Sequence, residues 1–372
     1  MSRRAAPPVP AVDLFGDDRG LASLAGEWDA MLADSPLETP FLTWPWVSAW
    51  RETLGRDAEL LVAAARHPHD GRLLGIGPFA IRRVTRAGIP HRVLGFVGSG
   101  PAAPDHLDLI VAPGFEETVA PGLWNAVRRA ARADLFDFDG TRDGSLLAGV
   151  AARRREDRAR IEAIPCPYLA LPATWEEFEA GLGSNMRQNI RRYARKMDRE
   201  AGAPVVARMV TAADEVDETI TALGILHQRV REANGQPGVF RTPLLQAFHH
   251  AAARRFHSTG RLRLHRLDVG GEIAAAIYCI RHRDTVSFYT TGYDDRWRRY
   301  GPGRRIMAHA IASAIDEGAS EFDFLRGDEA YKASWGTVSR TDRRIRVADS
   351  ARGRTLVLLR RMGKAAQRLR RS

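Results

Sequence analysis

The stretch Thr285–Gly336, TVSFYTTGYDDRWRRYGPGRRIMAHAIASAIDEGASEFDFLRGDEAYKASWG, decides how the rest of the chain is read. Val286, Phe288 and Thr290 alternate with Ser287 and Tyr289, the period of a strand. Tyr300-Gly301-Pro302-Gly303 then breaks the chain. Ile306, Met307, Ala310, Ile311, Ala314 and Ile315 recur at helical spacing, and Gly318 ends the run. Glu321–Leu325 reads as a second short strand, and a polar loop follows. The result is a β-loop-α-β unit whose loop sits at a helix N-terminus.

Such a corner has a chemical use. A helix start leaves backbone N–H groups unpaired and carries a partial positive charge. Glycines there let a phosphate come close. Arg296, Arg298, Arg299, Arg304 and Arg305 crowd the same place, which suits a polyanion such as the pyrophosphate of coenzyme A. Neither the P-loop pattern nor the dinucleotide-binding glycine pattern is present. An ordinary turn with a solvated basic face remains open on this stretch alone.

Upstream, Arg261–Asp268 and Glu272–Arg281 read as strands joined at Gly270-Gly271, with Arg283-Asp284 turning into Thr285. An antiparallel meander thus feeds the unit. Further back, SNMRQNIRRYARKMDRE (184–200) is a basic amphipathic helix with Ser184 as the expected N-cap. Its Arg187, Arg191, Arg195 and Arg199 recur every four residues, either to bind a polyanion or as a solvated face. Helices are expected over Ala213–Glu232 and Pro243–His257, so His227, His249, His250 and His257 read as structural or exposed.

The first half repeats the pattern: strands at Leu60–Ala65, Leu73–Ile81, Arg92–Phe96 and Leu107–Val111, a helix at Glu116–Ala133, then a short strand. LFDFDG (135–140) echoes EFDFLRG (321–327), each after a helix of comparable length. Two copies of one α/β module follow, at 11–150 and 161–345. Between them lies a charged connector (151–160), and after them a basic tail (346–372) in which 355–359 is strand or helix. Residues 1–10, with three prolines, read as disordered. PFLTWPWVSAW (40–50) either lines a pocket with its tryptophans or buries Trp46 and Trp50 in a packing helix.

Composition bounds the rest. The 372 residues, 44% hydrophobic and 27% charged, describe a globular chain with room for two or three cores. No apolar run approaches the roughly 20 residues that span a bilayer, and MSRRAAPPVPAV lacks a signal-peptide core, so a cytoplasmic protein is expected. The net charge of +11 suits nucleic acid, an anionic surface or an acidic cofactor, or reflects only arginine-rich usage. The basic tail suits weak contact with a membrane surface. Cys166 and Cys279 offer no metal-ligand spacing, and no metal is expected.

Chemistry is expected in the loop after the last strand. A serine elbow and HExxH are absent, and Cys166 has no evident histidine partner, which disfavours covalent catalysis. Direct attack of an amine on a thioester needs less: a base, a polarised carbonyl and a donor for the departing thiolate. Asp328 or Glu329 reads as the base and Tyr331 as the acid; Lys332 binds a phosphate or orients a carboxylate. Asp323 holds Arg326 or the acceptor, or else forms a structural ion pair. Tyr289 and Tyr293 flank the strand end and line an acyl channel; Arg326 and Trp335 complete the substrate side, with core packing the alternative for Trp335.

The span from FYTTGYDDRWRRYGPG through EFDFLRGDEAYKASWG resembles the GNAT-type domain of cellulose-biosynthesis-associated CelD-like proteins, a group related in fold to Fem-type aminoacyltransferases. PFLTWPWVSAW resembles the start of the same group's proteins. The resemblance implies an α/β (α+β) fold of two tandem GNAT-like modules, each a mixed, mostly antiparallel sheet flanked by helices, the first degenerate. It implies an acyl-CoA-dependent N-acyltransferase acting on an amine of a small molecule, amino sugar or polysaccharide precursor. Arg299, Tyr300, Gly301, Gly303, Arg304 and Arg305 would hold acetyl-CoA or another acyl-CoA, although Pro302 removes one N–H from that loop. The alternatives are a transferase that uses aminoacyl-tRNA, favoured by the basic helix, and a non-catalytic accessory protein.

Overall fold

A computed structural model describes residues 10–152 and 159–359. The elements begin with β1 (Ala11–Phe15), α1 (Asp18–Ser23), α2 (Ala25–Asp34) and α3 (Trp44–Glu52). Then come β2 (Glu59–Arg66), β3 (Leu73–Arg86), β4 (Ile89–Phe96), β5 (Ile110–Val111), α4 (Glu116–Ala130), β6 (Leu135–Arg142) and α5 (Leu146–Ala152). The second half runs β7 (Ala159–Ala170), α6 (Trp175–Gly181), α7 (Ser184–Glu200), β8 (Val205–Met209), α8 (Ala213–Ala233) and α9 (Pro243–Ser258). It ends with β9 (Leu262–Val269), β10 (Glu272–His282), β11 (Thr285–Tyr293), α10 (Pro302–Asp316), β12 (Glu321–Asp323), α11 (Ala330–Ala333) and β13 (Val338–Ala348).

Two compact units emerge. The first is the described part of Met1–Val47, Gly55–Ile164 and Asp342–Ser372; the second is Ser48–Leu54 with Pro165–Thr341. In the first, β1, β2, β3 and β4 pair antiparallel in sequence order, β4 pairs β6 in parallel, and residues 342–348 of β13 pair antiparallel with β6. In the second, β8, β9, β10 and β11 pair antiparallel, β11 pairs β12 in parallel, and residues 168–170 of β7 pair antiparallel with β12. The two sheets therefore have the same strand order and the same senses. Each is a mixed, mostly antiparallel sheet flanked by helices, the fold class read from the sequence.

In each unit the strand that completes the sheet beyond the parallel pair comes from distant sequence. Residues 165–170 precede the second unit's other strands, and residues 342–348 lie after α11, at the end of β13. Residues 342–345, placed by the sequence in the module at 161–345, belong with the first unit.

Local departures have local causes. The expected strand at Leu107–Val111 shrinks to Ile110–Val111, because His106 is turned to a φ of 61° and the chain there makes only an isolated bridge at Leu107. The helix α5 was not expected; its first turn is held by the Asp108 carboxylate, which accepts from the N–H of Leu146 and Leu147 at 2.7 and 2.8 Å. Ser184 is not the N-cap of α7: Gly183 takes that position and no side chain caps the helix. The stretch 355–359 is helical, within 351–359. The expectations for residues 1–9, for 153–158 of the connector and for the tail from 360 onward lie outside the described residues. Trp46 and Trp50 are buried at 0% and 1% exposure, so the 40–50 segment packs rather than lines a surface pocket.

Candidate functional site

The site begins where β11 and β12 part. Their parallel pairing covers only Thr285↔Glu321, Val286↔Phe322 and Ser287↔Asp323. After Asp323 the chain turns away through Leu325, which adopts a φ of 54°, while β11 runs on along β10 to Tyr293. A fork opens, and the edge of β11 beyond Ser287 lacks a β12 partner.

A bulge sits inside this fork. Cys279 faces Phe288, yet Tyr278 faces Thr290, so Tyr289 is one extra residue on β11. Below the bulge Val286 and Phe288 point into the core shared with α10. Above it Thr291 and Tyr293 take that face, while Tyr289 and Thr290 point to the α8–α9 side. Tyr289 packs 5.2 Å from His249 and 5.6 Å from Tyr278. The expectation that Tyr289 and Tyr293 share a channel fails for this reason: alternation without a bulge puts them on one face, and the extra residue separates them.

The helix α10 starts beside the fork. A 3-10 turn (Asp295–Tyr300) leads to Gly301 at a φ of 61°, the left-handed conformation that glycine adopts without cost, and Pro302 opens the helix. Pro302 has no N–H, and those of Arg304 and Arg305 already reach the Gly301 carbonyl at 3.0 and 3.1 Å. Only the Gly303 N–H of this turn is left, so side chains rather than backbone supply most of the positive charge. A Cβ at Gly303 would stand 3.2 Å from the Tyr293 ring.

These elements enclose a cavity of about 530 Å³. Arg298, Arg299, Gly301, Pro302, Gly303 and Arg304 form one wall, and Tyr331, Ser334 and Trp335 another. Thr291, Tyr293 and Met307 lie between, and Tyr193 of α7 closes the side. The structure thus brings Arg299, Gly301, Gly303 and Arg304 to one space with Tyr293, Tyr331 and Trp335. The lining holds phenols and guanidiniums and neither a carboxylate nor an imidazole.

The remaining expected residues are placed elsewhere. Tyr300 is 1% exposed; its hydroxyl reaches Glu200 at 3.3 Å and Arg299 stacks 4.7 Å over its ring. Arg305 pairs with Asp198 at 2.6 Å and reaches the Ala194 carbonyl at 3.3 Å. Both residues tie α10 and its leading turn to α7 instead of lining the cavity. Asp323 is fully buried, pairs with Arg340 and accepts from the Leu325 N–H at 2.7 Å. Arg340 also grips Glu321 and lies 4.5 Å over the Tyr168 ring. Asp323 therefore fixes the end of β12; the structural ion pair is the arrangement seen, with Arg340 as a partner.

Lys332, 3% exposed, turns inward. Its Nζ donates to the carbonyls of Arg326 and Gly327 at 2.7 and 3.2 Å, approaches that of Leu325 at 3.4 Å, and pairs with Glu329 at 2.9 Å. The ammonium is the nucleus around which loop 325–332 folds, so it is not offered to a phosphate. Glu329 serves that pairing, Arg326 contributes its carbonyl, and Asp328 stands exposed outside the cavity lining. Neither carboxylate sits where a base for the cavity would.

Tyr331 leaves 46% of its surface open. Loss of water around its hydroxyl, then the charge of Glu329, push its phenol above the ordinary range, with Arg231 opposing. At neutral pH it is a hydrogen-bond donor. Tyr193 was not singled out in the sequence, where it reads as one more apolar position of α7; Arg192 and Arg304 lie 5.0 and 5.5 Å from its ring. Ser334 and Thr291 carried no signal either.

On the other face of the sheet the histidines are structural. His227 donates from Nδ1 to the Thr291 carbonyl at 3.0 Å and accepts from the Val239 N–H at Nε2 at 3.4 Å. Burial pushes it down to about 4 and pushes His249 down to about 3; on the α10 face, His265 of β9 packs 5.2 Å from His309 and burial pushes it down to about 3. Cys166 and Cys279 are buried free thiols. Among the described residues no helix is long and apolar enough to cross a membrane.

Residues 184–333 match the sequence family described as an acetyltransferase (GNAT) domain. That match lies within the second unit. FemX superimposes with a TM-score of 0.59 at 10% identity, over 86% of this chain and 95% of that one. The C-terminal domain of a putative lysylphosphatidylglycerol synthetase from Agrobacterium fabrum gives 0.53 at 12% identity, over 91% and 95%. L-PGS from Bacillus licheniformis gives 0.53 at 10%, over 90% and 96%. At such identities these likenesses speak for the fold alone. No curated protein sequence matches the chain.

Proposed function

We propose that the GNAT unit moves an acyl group from acyl-CoA to an amine. The observation that carries this reading is the single cavity that joins the start of α10 to Tyr331 across an open strand fork. The donor's diphosphate lies against Arg299 and Arg304 with the Gly303 N–H. The thioester enters the fork, where β11 beyond its pairing with β12 offers backbone N–H groups to its carbonyl oxygen. The amine nitrogen bonds to the carbonyl carbon, the C–S bond breaks, and the thiolate leaves. Tyr331 donates a hydrogen bond to that sulfur; its raised phenol makes it a poor source of the whole proton, which comes from solvent.

With no carboxylate or imidazole in the lining, the amine arrives as the free base and its second proton goes to water. Acceptors in keeping with the CelD-like resemblance are an amino sugar, a polysaccharide precursor or a small metabolite. Calorimetry of the full chain against acetyl-CoA, longer acyl-CoAs and charged tRNA tests the donor. Once an acceptor is in hand, Tyr331→Phe lowers kcat by roughly tenfold at unchanged KM for the donor, about the worth of one hydrogen bond to developing charge. Binding of no acyl carrier at all sinks the assignment and favours an accessory role.

One observation supports aminoacyl-tRNA as the donor instead. The helix α7 supplies Tyr193 to the cavity and also carries Arg187, Arg192, Arg195 and Arg199, so a basic surface adjoins the mouth. Binding of charged tRNA with no response to acyl-CoA selects this reading.

A further inference from the structure

Many guanidiniums of the second unit are answered by carboxylates. Arg208 pairs with Glu215, Arg254 with Asp217, Arg263 with Glu317 and Arg305 with Asp198. The outward face of α7 breaks that pattern. Arg192, Arg195 and Arg199 are exposed and stand at three- and four-residue spacing, so they share one face over about 10 Å of helix. Arg192 donates to the Asn189 side-chain oxygen at 3.0 Å, and Arg195 to the Arg191 carbonyl at 3.2 Å. Among the described residues no carboxylate pairs with any of the three. The acids of α7 turn the other way, Asp198 to Arg305 and Glu200 to Tyr300. Like charges stacked at these spacings repel, so the row costs stability that a single glutamate would restore.

The row runs into the cavity. Arg192 lies 5.0 Å from the Tyr193 ring, and Arg304 of α10 lies 5.5 Å from the same ring, which lines the cavity beside Arg298 and Arg299. An approaching amine thus meets a run of guanidiniums and no carboxylate in the lining. An ammonium on a neutral molecule is repelled by this field, and one on an anionic carrier is drawn in. We propose that the acceptor is an amine on a phosphate-bearing molecule, and that Arg192, Arg195 and Arg199 hold its phosphate while the nitrogen reaches the cavity. The inference rests on the acyl-transfer reading above and names the acceptor's class. Arg299, Arg304 and the Gly303 N–H already meet the donor's diphosphate in that reading, which leaves the α7 row for a second anion. Three cations within about 10 Å suit a group of more than one negative charge, and guanidinium forks bond phosphate oxygens in pairs. The same field favours the free-base form of the amine, the form that attacks. Tyr193, the one aromatic residue of α7, lines the cavity, so the row offers a nucleobase nothing to stack on.

The test is calorimetry on the full chain with glucosamine, glucosamine 6-phosphate and inorganic tripolyphosphate. The unaltered protein binds glucosamine 6-phosphate at least about tenfold more tightly than glucosamine, the worth of roughly one charge-assisted hydrogen bond. The triple variant Arg192→Gln, Arg195→Gln, Arg199→Gln keeps exposed side chains of good helix propensity. It loses that preference and binds tripolyphosphate about tenfold less tightly, with its acetyl-CoA affinity unchanged. The losses shrink as salt is raised. Glucosamine 6-phosphate bound no better than glucosamine, or tripolyphosphate bound equally by the variant, overturns the proposal and leaves the donor assignment standing. A fall in acetyl-CoA affinity in the variant assigns the row to the donor's ribose phosphate and overturns it too. Displacement of tripolyphosphate by a tRNA acceptor stem but not by glucosamine 6-phosphate overturns it in favour of the tRNA reading. Failure of every acyl-CoA to bind the unaltered protein overturns the transfer from acyl-CoA, and the acceptor's class with it.

Discussion

The two units carry the same fork and use it differently. In the first, β4 and β6 pair in parallel at Val93↔Leu135 and Leu94↔Phe136, then part. Phe96 and Phe138 meet edge to face at 5.6 Å, as Phe288 and Phe324 do at 5.8 Å. What differs lies above the rings. At Gly98 the first unit brings in the indole of Trp46, which donates to the Gly98 carbonyl at 3.2 Å and is braced by Phe41 at 4.8 Å. A Cβ at Gly98 would lie 2.7 Å from that indole. The second unit has Thr291 and Tyr293 there and keeps about 530 Å³ of space. One fold thus yields a packed core or a cavity, according to whether an aromatic side chain from elsewhere in the chain fills the fork.

Acid separates the units most strongly. His227, His249 and His265 are buried and neutral in the second, with values below the usual 6.5. The unfolded chain binds more protons than the folded one as pH falls below 6.5, so stability is lost on acidification, until about pH 4 for His227 and about 3 for the other two. Each histidine removes about 1.4 kcal/mol per pH unit, on the order of 4 kcal/mol per unit together. Asp108 of the first unit works in the opposite direction. Burial raises it to about 6, against three backbone N–H bonds that favour its charge, so the folded form holds the extra proton between about 6 and 3.8. Hydrogen exchange between pH 7 and 4.5 should show the second unit opening first. Equal loss of protection in both units breaks the contrast.

The next effect is that of the filler itself. Trp46→Ala is expected to destabilise the first unit by about 3–5 kcal/mol, the cost of emptying a fully buried indole site. The acyl-CoA affinity of the second unit should not change. A parallel fall in both, seen by thermal melting and calorimetry, argues against independent forks.

The smallest effect sharpens the functional side. Arg304→Ala should weaken acyl-CoA binding by roughly tenfold, about 1.4 kcal/mol, with the difference shrinking at high salt. Arg298 and Arg299 remain to hold the anion. An unchanged affinity moves the donor's phosphates away from the start of α10.

Much of this was legible in the chain because it rests on local period. The alternation at 285–288, the apolar stripe of α10 and the Phe-Asp-Phe echo place strand, helix and strand without tertiary knowledge. The bulge at Tyr289 left no mark, since a bulged strand keeps the composition of a regular one. Lys332 misled because its partners are carbonyls that exist as a cluster only after the loop folds. Asp323 and Arg340 lie on different strands, and nothing in their spacing announces the pair. The corner of arginines was visible, but which of them face the cavity is decided by α7, whose Asp198 and Glu200 draw Arg305 and Tyr300 away from it.

The extra residue in β11 acts as a phase shifter for everything beyond it. Strict alternation carried past Phe288 without the bulge would put Thr290 and Gly292 in the cavity and turn Tyr293 toward α8. That helix already presses so close that a Cβ at Gly292 would sit 2.5 Å from the His227 nitrogen. A tyrosine has no place there, so the register beyond Phe288 depends on the bulge, and counting simple alternation across it assigns the wrong residues to the pocket.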